Sequence, residues 1–414
     1  MFDHRTMPAV SFGAQMSYTV PEHLKPLYDQ VTEFVEKRII PNERLLLDER
    51  SAESETLRAE LIEEAKREGL WAMGHPESMG GRGLPWLDYA YINEVIGRSD
   101  PAMNIFGSYS VQTCVMIASA ADEWQREHVL LPAVRGDIHV AFAVTEPGAA
   151  SSDPTNITTT AYLDGDEWVI NGRKWYTSGA TTSEWLCVMC RTESEDAPRH
   201  RRFSMILVPQ SADGFKIDRD VFVMGTHSNH PECSYTDVRV PRHHLLGERG
   251  EGFTLFQARL GPARLTNCMR WIGQAQRAFD LMCERINTRE LRDGERLATK
   301  QLMQLYVYQS YTEIQSARMM VLDAAEKMDR GEQARVEISA VKTYAANMLQ
   351  HVLDRAVQVH GALGVCDDTP LERMYRFARI YRIVDGPDEV HIERVGKEIL
   401  KVYRGGDRWV FSER

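Results

Sequence analysis

The hydrophobic period of this chain changes twice, and that constrains its fold more than any other feature. After Pro21 the apolar positions Leu24, Leu27, Val31, Phe34 and Ile39 recur at the spacing of one buried helical stripe. Pro41, which has no amide hydrogen to give, ends or kinks that helix. Further helical patterns are predicted over 54–68, 86–96 and 108–121. Near Ala141 the period shortens. Segments rich in β-branched and aromatic residues run over 140–144, 157–162, 168–170, 185–189, 203–208 and 235–240, with Asp164-Gly165 and Asn171-Gly172 as turn dipeptides. From Phe253 helices return. Cys268, Ile272, Ala275, Phe279, Met282 and Ile286 form one seam, and Val341, Ala345, Met348, Val352, Ala356, Val359 and Leu363 form another. With helices around 300–328 and after Pro387, four helices fit a bundle. The expected order is a loose arm over 1–20, an N-terminal α-helical domain over 21–139, a middle antiparallel β-barrel or sandwich over 140–250, and a C-terminal four-helix bundle over 251–414.

Several function classes are disfavoured by charge and patterning. A net charge of -11 argues against nonspecific nucleic-acid binding, which needs a basic surface. No apolar run approaches membrane-spanning length, and the first twenty residues lack a signal-peptide core and are poor in arginine for a transit peptide. The closing Ser412-Glu413-Arg414 is not a peroxisomal address, so a cytoplasmic protein is expected. The seven cysteines have no framework spacing and fit a reducing compartment. Cys187 and Cys190 lie on an expected strand, where residues three apart face opposite sides, so they read as core residues and no metal site is expected. The glycines at 80, 81 and 83 lack the spacing and preceding strand of a dinucleotide site. Residues 247–252 carry Glu248 and Glu251, which would repel a phosphate, and read as a turn.

One short stretch carries candidate chemistry. An apolar and basic segment ends at Asp385-Gly386-Pro387, after which a helix begins with Asp388 and Glu389 in its first turn, where they complement the dipole. Pro387 suits the first helical position. Asp385 is not needed to close the turn. A carboxylate held there, close to helix N–H groups, can act as a base; it can equally bond its own turn backbone.

The strings Ala141-Phe142-Ala143-Val144-Thr145-Glu146-Pro147-Gly148, Ile170-Asn171-Gly172-Arg173-Lys174-Trp175, Asp237-Val238-Arg239-Val240-Pro241 and Gln358-Val359-His360-Gly361 resemble the acyl-CoA dehydrogenase flavoprotein family, over nearly the whole chain from Pro21. His230-Pro231-Glu232, the segment from Arg259 to Arg264 and the segment from Asp385 to His391 resemble a subgroup that includes acyl-CoA dehydrogenase family members ten and eleven. That subgroup has an aspartate where most of the family has a glutamate.

The resemblance implies an FAD enzyme that makes a 2,3-enoyl-CoA from an acyl-CoA substrate, with Asp385 as the base. It implies flavin contacts at Phe142, Val144, Thr145 and Ser151, and at Tyr176, Thr177 and Ser178. Arg289 would reach the FAD of a neighbouring subunit, Gln358 and Gly361 would form the ADP-binding turn, and Pro387 and Glu389 would lie beside the adenine half. Ser151, Arg264 and Gly386 would fall near the acyl-CoA. A homodimer or homotetramer is implied, with an electron-transferring flavoprotein as acceptor. Departures are Ala150 for a usual glycine, Tyr176 for a common tryptophan, and Glu290-Leu291 where Phe-Gly usually follows the cofactor arginine. The alternatives are a nitroalkane-oxidase-type flavin oxidase, marked by fast reoxidation in O₂ without a CoA ester, and a noncatalytic acyl-CoA-binding protein, marked by failure to take up FAD.

Overall fold

The computed structural model describes residues 19–48 and 51–411. The expected arm falls almost wholly outside them, as does the Ser412-Glu413-Arg414 terminus. The principal N-terminal helices are α1 (Lys25–Phe34), α2 (Ala52–Arg67), α3 (Trp86–Ile96) and α4 (Val111–Ala118). Leu24, Leu27, Val31 and Phe34 form the buried stripe of α1. Burying each such side chain contributes about 1.5–3 kcal/mol. After α1 the chain loosens into a π turn, Val35–Ile39, and a 3-10 turn, Ile40–Asn42, that contains Pro41. Helix α2 is set locally: the Ser51 hydroxyl accepts from Ser54 N–H at 3.3 Å, Glu53 and Glu55 sit in the first turn, and Lys66 and Arg67 in the last.

The middle region is one eight-stranded sheet. Its strands are β1 (Val140–Ala143), β2 (Thr160–Asp164), β3 (Glu167–Lys174), β4 (Trp185–Arg191), β5 (Phe203–Pro209), β6 (Phe215–Val223), β7 (Thr226–Pro241) and β8 (Leu245–Leu246). They are ordered β6-β7-β3-β2-β4-β5-β8, and β1 pairs with β4 in parallel, Phe142 facing Cys187. Most pairings are antiparallel, as expected; β1–β4 and the single β2–β4 pair are parallel.

Two sequence expectations are corrected here. Asp164-Gly165 does turn β2 into β3, but Asn171-Gly172 lies inside β3 at a bulge against β7. Gly172 is needed for a close approach instead: a Cβ there would meet Thr159 Oγ1 at 2.4 Å. Strand β6 and the first half of β7 were not expected; β6 has only half-buried and exposed positions, in no regular alternation. Strand β4 is buried along its centre, and Cys187 and Cys190 are buried free thiols.

The C-terminal helices are α5 (Gly252–Thr288), α6 (Gln301–Asp329), α7 (Arg335–His360), α8 (Leu371–Ile380) and α9 (Asp388–Arg404). Helices α5, α6 and α7 pack side by side, α8 and α9 pack on α7, and α3 packs across α5 and α6. Glycine allows α3 and α5 to touch at backbone: a Cβ on Gly273 would lie 1.9 Å from Glu94 O. One hydrophobic core therefore runs from α1 and α3 into the bundle, and a second joins α4 to the sheet through Cys114, Met116, Ile117, Met189 and Met205. Among the described residues no helix is long and apolar enough to cross a membrane.

Candidate active site

The turn between α8 and α9 is held from three sides. Asp385 has φ 55° and Gly386 φ 99°, a left-handed pair that aspartate tolerates and that glycine adopts freely. The Asp385 carbonyl accepts from Arg264 Nε of α5 at 2.8 Å and lies 3.2 Å from His391 Nε2 of α9. The next carbonyl, Gly386, accepts from the buried Lys342 Nζ of α7 at 2.6 Å. Asp388, at the first position of α9, is buried and accepts from Arg382 Nε at 2.8 Å and Asn347 Nδ2 at 3.1 Å. A Cβ on Gly386 would sit 3.0 Å from His391 Nε2, so the turn and α9 are packed without slack.

With its backbone pinned, the half-buried Asp385 side chain does not fold back on its own turn. Its Oδ2 accepts from Asn267 Nδ2 of α5 at 2.6 Å, across 118 residues of sequence, and no hydrogen bond is made to Oδ1 among the described residues. Arg259, four residues before Ala263 on the same helix, stands in the same field. Its guanidinium lies 4.2 Å over the Phe142 ring and donates from Nε to Thr113 Oγ1 at 3.2 Å, with no carboxylate at ion-pair distance among the described residues. Burial pulls the Arg259 and Arg264 guanidiniums down, and the Asp385 charge raises both. His391 is pushed down to about 4 by burial and by the Arg264 and Lys342 charges, so it is neutral near pH 7. This junction joins α4, β1, α5, α7 and α9.

The loops after β1 and β3 are stapled to each other. Trp175 N–H donates to Thr145 O at 3.0 Å, and Thr145 Oγ1 donates to Trp175 O at 2.6 Å. Beneath them the buried Glu146 carboxylate accepts from Lys174 Nζ at 2.8 Å, Thr158 N–H at 2.6 Å and Thr159 N–H at 2.9 Å, while Lys174 also donates to Val144 O at 2.9 Å. Burial would raise the Glu146 carboxyl, but Lys174 and these donors hold it down at about 2. Ser151 Oγ receives Glu146 N–H at 3.4 Å. Tyr176 is exposed with φ 49°, the buried Thr177 side chain faces the Cys233 thiol, and Ser178 Oγ lies 2.8 Å from His230 Nδ1.

These neutral hydroxyls beside an exposed aromatic ring fit a planar heteroaromatic group with carbonyl and ring-nitrogen acceptors, as an isoalloxazine is. A diphosphate needs charge as well. Arg289 is exposed at the end of α5 and makes no ion pair among the described residues. Gln358 and Glu389 are exposed, and Gly361 closes α7 with φ 63°. The single chain thus brings Phe142, Arg264, Asp385, Gly386 and Pro387 to one junction and Thr145, Ser151, Tyr176, Thr177 and Ser178 to adjoining loops. It leaves Arg289, Gln358, Gly361 and Glu389 facing outward.

Asn267 and Lys342 were not singled out from the sequence, and Arg259, His230 and His391 entered only as members of matched segments with no role of their own. The available signal was polar residues spaced by three, Arg264, Asn267 and Arg270, inside an otherwise apolar helical seam. Among the described residues no cluster of three or more histidine, cysteine, aspartate or glutamate side chains is arranged to hold a metal.

Comparison with known proteins agrees with this architecture part by part. The family models described as acyl-CoA dehydrogenase N-terminal, middle and C-terminal domain match residues 21–137, 141–238 and 250–400. A Mycobacterium tuberculosis protein named as a probable acyl-CoA dehydrogenase, FadE2, is 42% identical over 351 residues, covering 82% of this chain and 85% of its own. Mouse acyl-CoA dehydrogenase family member 10 is 37% identical over 402 residues and 92% of this chain, but the chain spans only 38% of that longer protein. The solved butyryl-CoA dehydrogenase of Megasphaera elsdenii superposes with a TM-score of 0.82 at 25% identity, over 93% of this chain and 100% of the other.

Proposed function

The chain belongs to the acyl-CoA dehydrogenase family, and from that premise we propose that it is an FAD-dependent oxidoreductase that converts an acyl-CoA thioester to the 2,3-enoyl-CoA, with Asp385 as the base. The observation that carries this reading is the state of the Asp385 carboxylate: one oxygen is anchored by Asn267, the other has no hydrogen bond among the described residues, and the turn is clamped by Arg264 and Lys342.

Asp385 Oδ1 takes the α-proton, and the electron pair of the broken Cα–H bond forms the Cα–Cβ double bond as the β-hydrogen leaves with its own pair. FAD, when bound, supplies the acceptor for that hydride. Phe142, Val144, Thr145, Ser151, Tyr176, Thr177 and Ser178 would hold its ring and the start of its diphosphate. Arg289 would serve the FAD bound mainly by a second subunit, Gln358 and Gly361 would form the ADP-binding turn, and Pro387 and Glu389 would lie beside the adenine half. Ser151, Arg264 and Gly386 would border the thioester. The exposed Leu302, Leu305, Tyr308 and Tyr311 of α6 provide apolar surface for a homodimer or homotetramer. An electron-transferring flavoprotein is the acceptor this reading calls for. Seven free cysteines are consistent with a cytoplasmic setting.

Asp385→Asn tests the reading. The variant keeps the flavin's yellow colour but loses reduction by acyl-CoA by about 10²–10⁴-fold, the usual contribution of a positioned base. Near-normal reduction would remove Asp385 from the chemistry.

A further inference from the structure

We infer that Asn267 is the positioning residue of the Asp385 base, with Arg270 fixing the amide of Asn267 so that it can only donate to the carboxylate. This rests on the reading of Asp385 as the base. Arg264, Asn267 and Arg270 lie three residues apart on α5, on the side that meets the α8–α9 turn. Arg264 holds the Asp385 carbonyl, Asn267 Nδ2 holds Oδ2 at 2.6 Å, and Arg270 donates from its guanidinium to Asn267 Oδ1.

An arginine has donors only, so the Asn267 atom that faces it must be the carbonyl oxygen. The NH₂ end is then committed to Asp385. Arg270 is buried and makes no ion pair at contact distance among the described residues, which leaves orienting the amide as the polar contact its guanidinium makes. The two carboxylate oxygens thereby become inequivalent. Oδ2 is tethered, and Oδ1 is the oxygen presented for proton transfer. An aspartate on a pinned backbone has only two side-chain torsions, so a single tether at Oδ2 goes far toward fixing where Oδ1 lies. A misplacement of about 1 Å in a reacting group can cost on the order of 10²-fold in rate.

The test uses FAD-loaded Asn267→Ala and Asn267→Asp proteins, with Asp385→Asn alongside. Flavin reduction is followed anaerobically with whichever of butyryl-, octanoyl- and palmitoyl-CoA reduces the unmodified protein fastest, and binding of that thioester is measured by calorimetry. Asn267→Ala is expected to slow reduction at saturation by about 10–100-fold with the dissociation constant changed less than about threefold. Asn267→Asp keeps the shape and puts a second carboxylate against the first, so the acid limb of its rate–pH profile moves to higher pH. The other groups facing Asp385 are Arg259, Arg264, Lys342, His391 and Cys268, all unchanged in these variants. Asn267→Asp decides the matter even should Asn267→Ala fail to fold. Reduction within twofold of normal with an unmoved pH profile, while Asp385→Asn is inactive, overturns the inference alone. An active Asp385→Asn overturns the reading beneath it.

Discussion

Lys174 Nζ lies 2.8 Å from Glu146 Oε1, and neither side chain reaches solvent to any useful extent. The pair sits under the stapled loops after β1 and β3, so it ties the loop that carries Thr145 and Ser151 to the strand that leads into Tyr176, Thr177 and Ser178. Structure and the expected flavin site therefore share one buried charge pair.

Lys174→Met should destabilise the protein by about 3–5 kcal/mol, because it strands a buried carboxylate. Lys174→Met combined with Glu146→Gln should cost clearly less than the single change. Denaturant midpoints of the two variants check this; equal losses would mean the charge pair is not what the loops depend on.

Acid sensitivity follows from three buried histidines. His75, His244 and His391 are each pushed down to about 4, chiefly by burial. Between roughly pH 6.5 and 4 the unfolded chain binds these protons and the folded chain does not, so stability falls as the pH falls. Each group contributes a slope of about 1.4 kcal/mol per pH unit across that window. The Glu146 contribution is present above the ordinary carboxyl range and is lost only as the pH falls toward about 2. His244→Gln should lower the slope between roughly pH 6.5 and 4 by about 1.4 kcal/mol per pH unit, leaving the His75 and His391 shares, as read by unfolding at a series of pH values.

Gly273→Ala and Gly396→Ala should move stability in opposite directions. A Cβ at 273 would collide with the backbone of α3, whereas one at 396 on α9 meets nothing within 4 Å. Gly396→Ala should stabilise by about 0.5–1 kcal/mol through helix propensity. Gly273→Ala should lower the melting temperature or abolish folding, since neither backbone can yield.

Gly386→Ala meets both a φ of 99° and the His391 ring at 3.0 Å. A left-handed alanine costs about 1–2 kcal/mol, and the displaced turn carries Asp385 with it. Flavin reduction should fall further than stability does. An unchanged reduction rate would show that the turn tolerates movement.

The sequence alone determined what local pattern can encode. The apolar stripe of α1, the span 86–96 of α3, the Asp164-Gly165 hairpin and the Asp385-Gly386-Pro387 break before α9 are decided by how a few neighbouring residues partition between solvent and core. Long-range contact decided the rest. Asn171-Gly172 reads as a turn until Thr159 arrives against it. Strand β6 lacks a buried face of its own and is held as an edge by β7. Asp385 could be named from its turn, but its anchor Asn267 lies 118 residues away. Which side chain meets a carboxylate depends on how two helices cross, and that crossing is set by packing across the whole bundle rather than by any pattern along the chain.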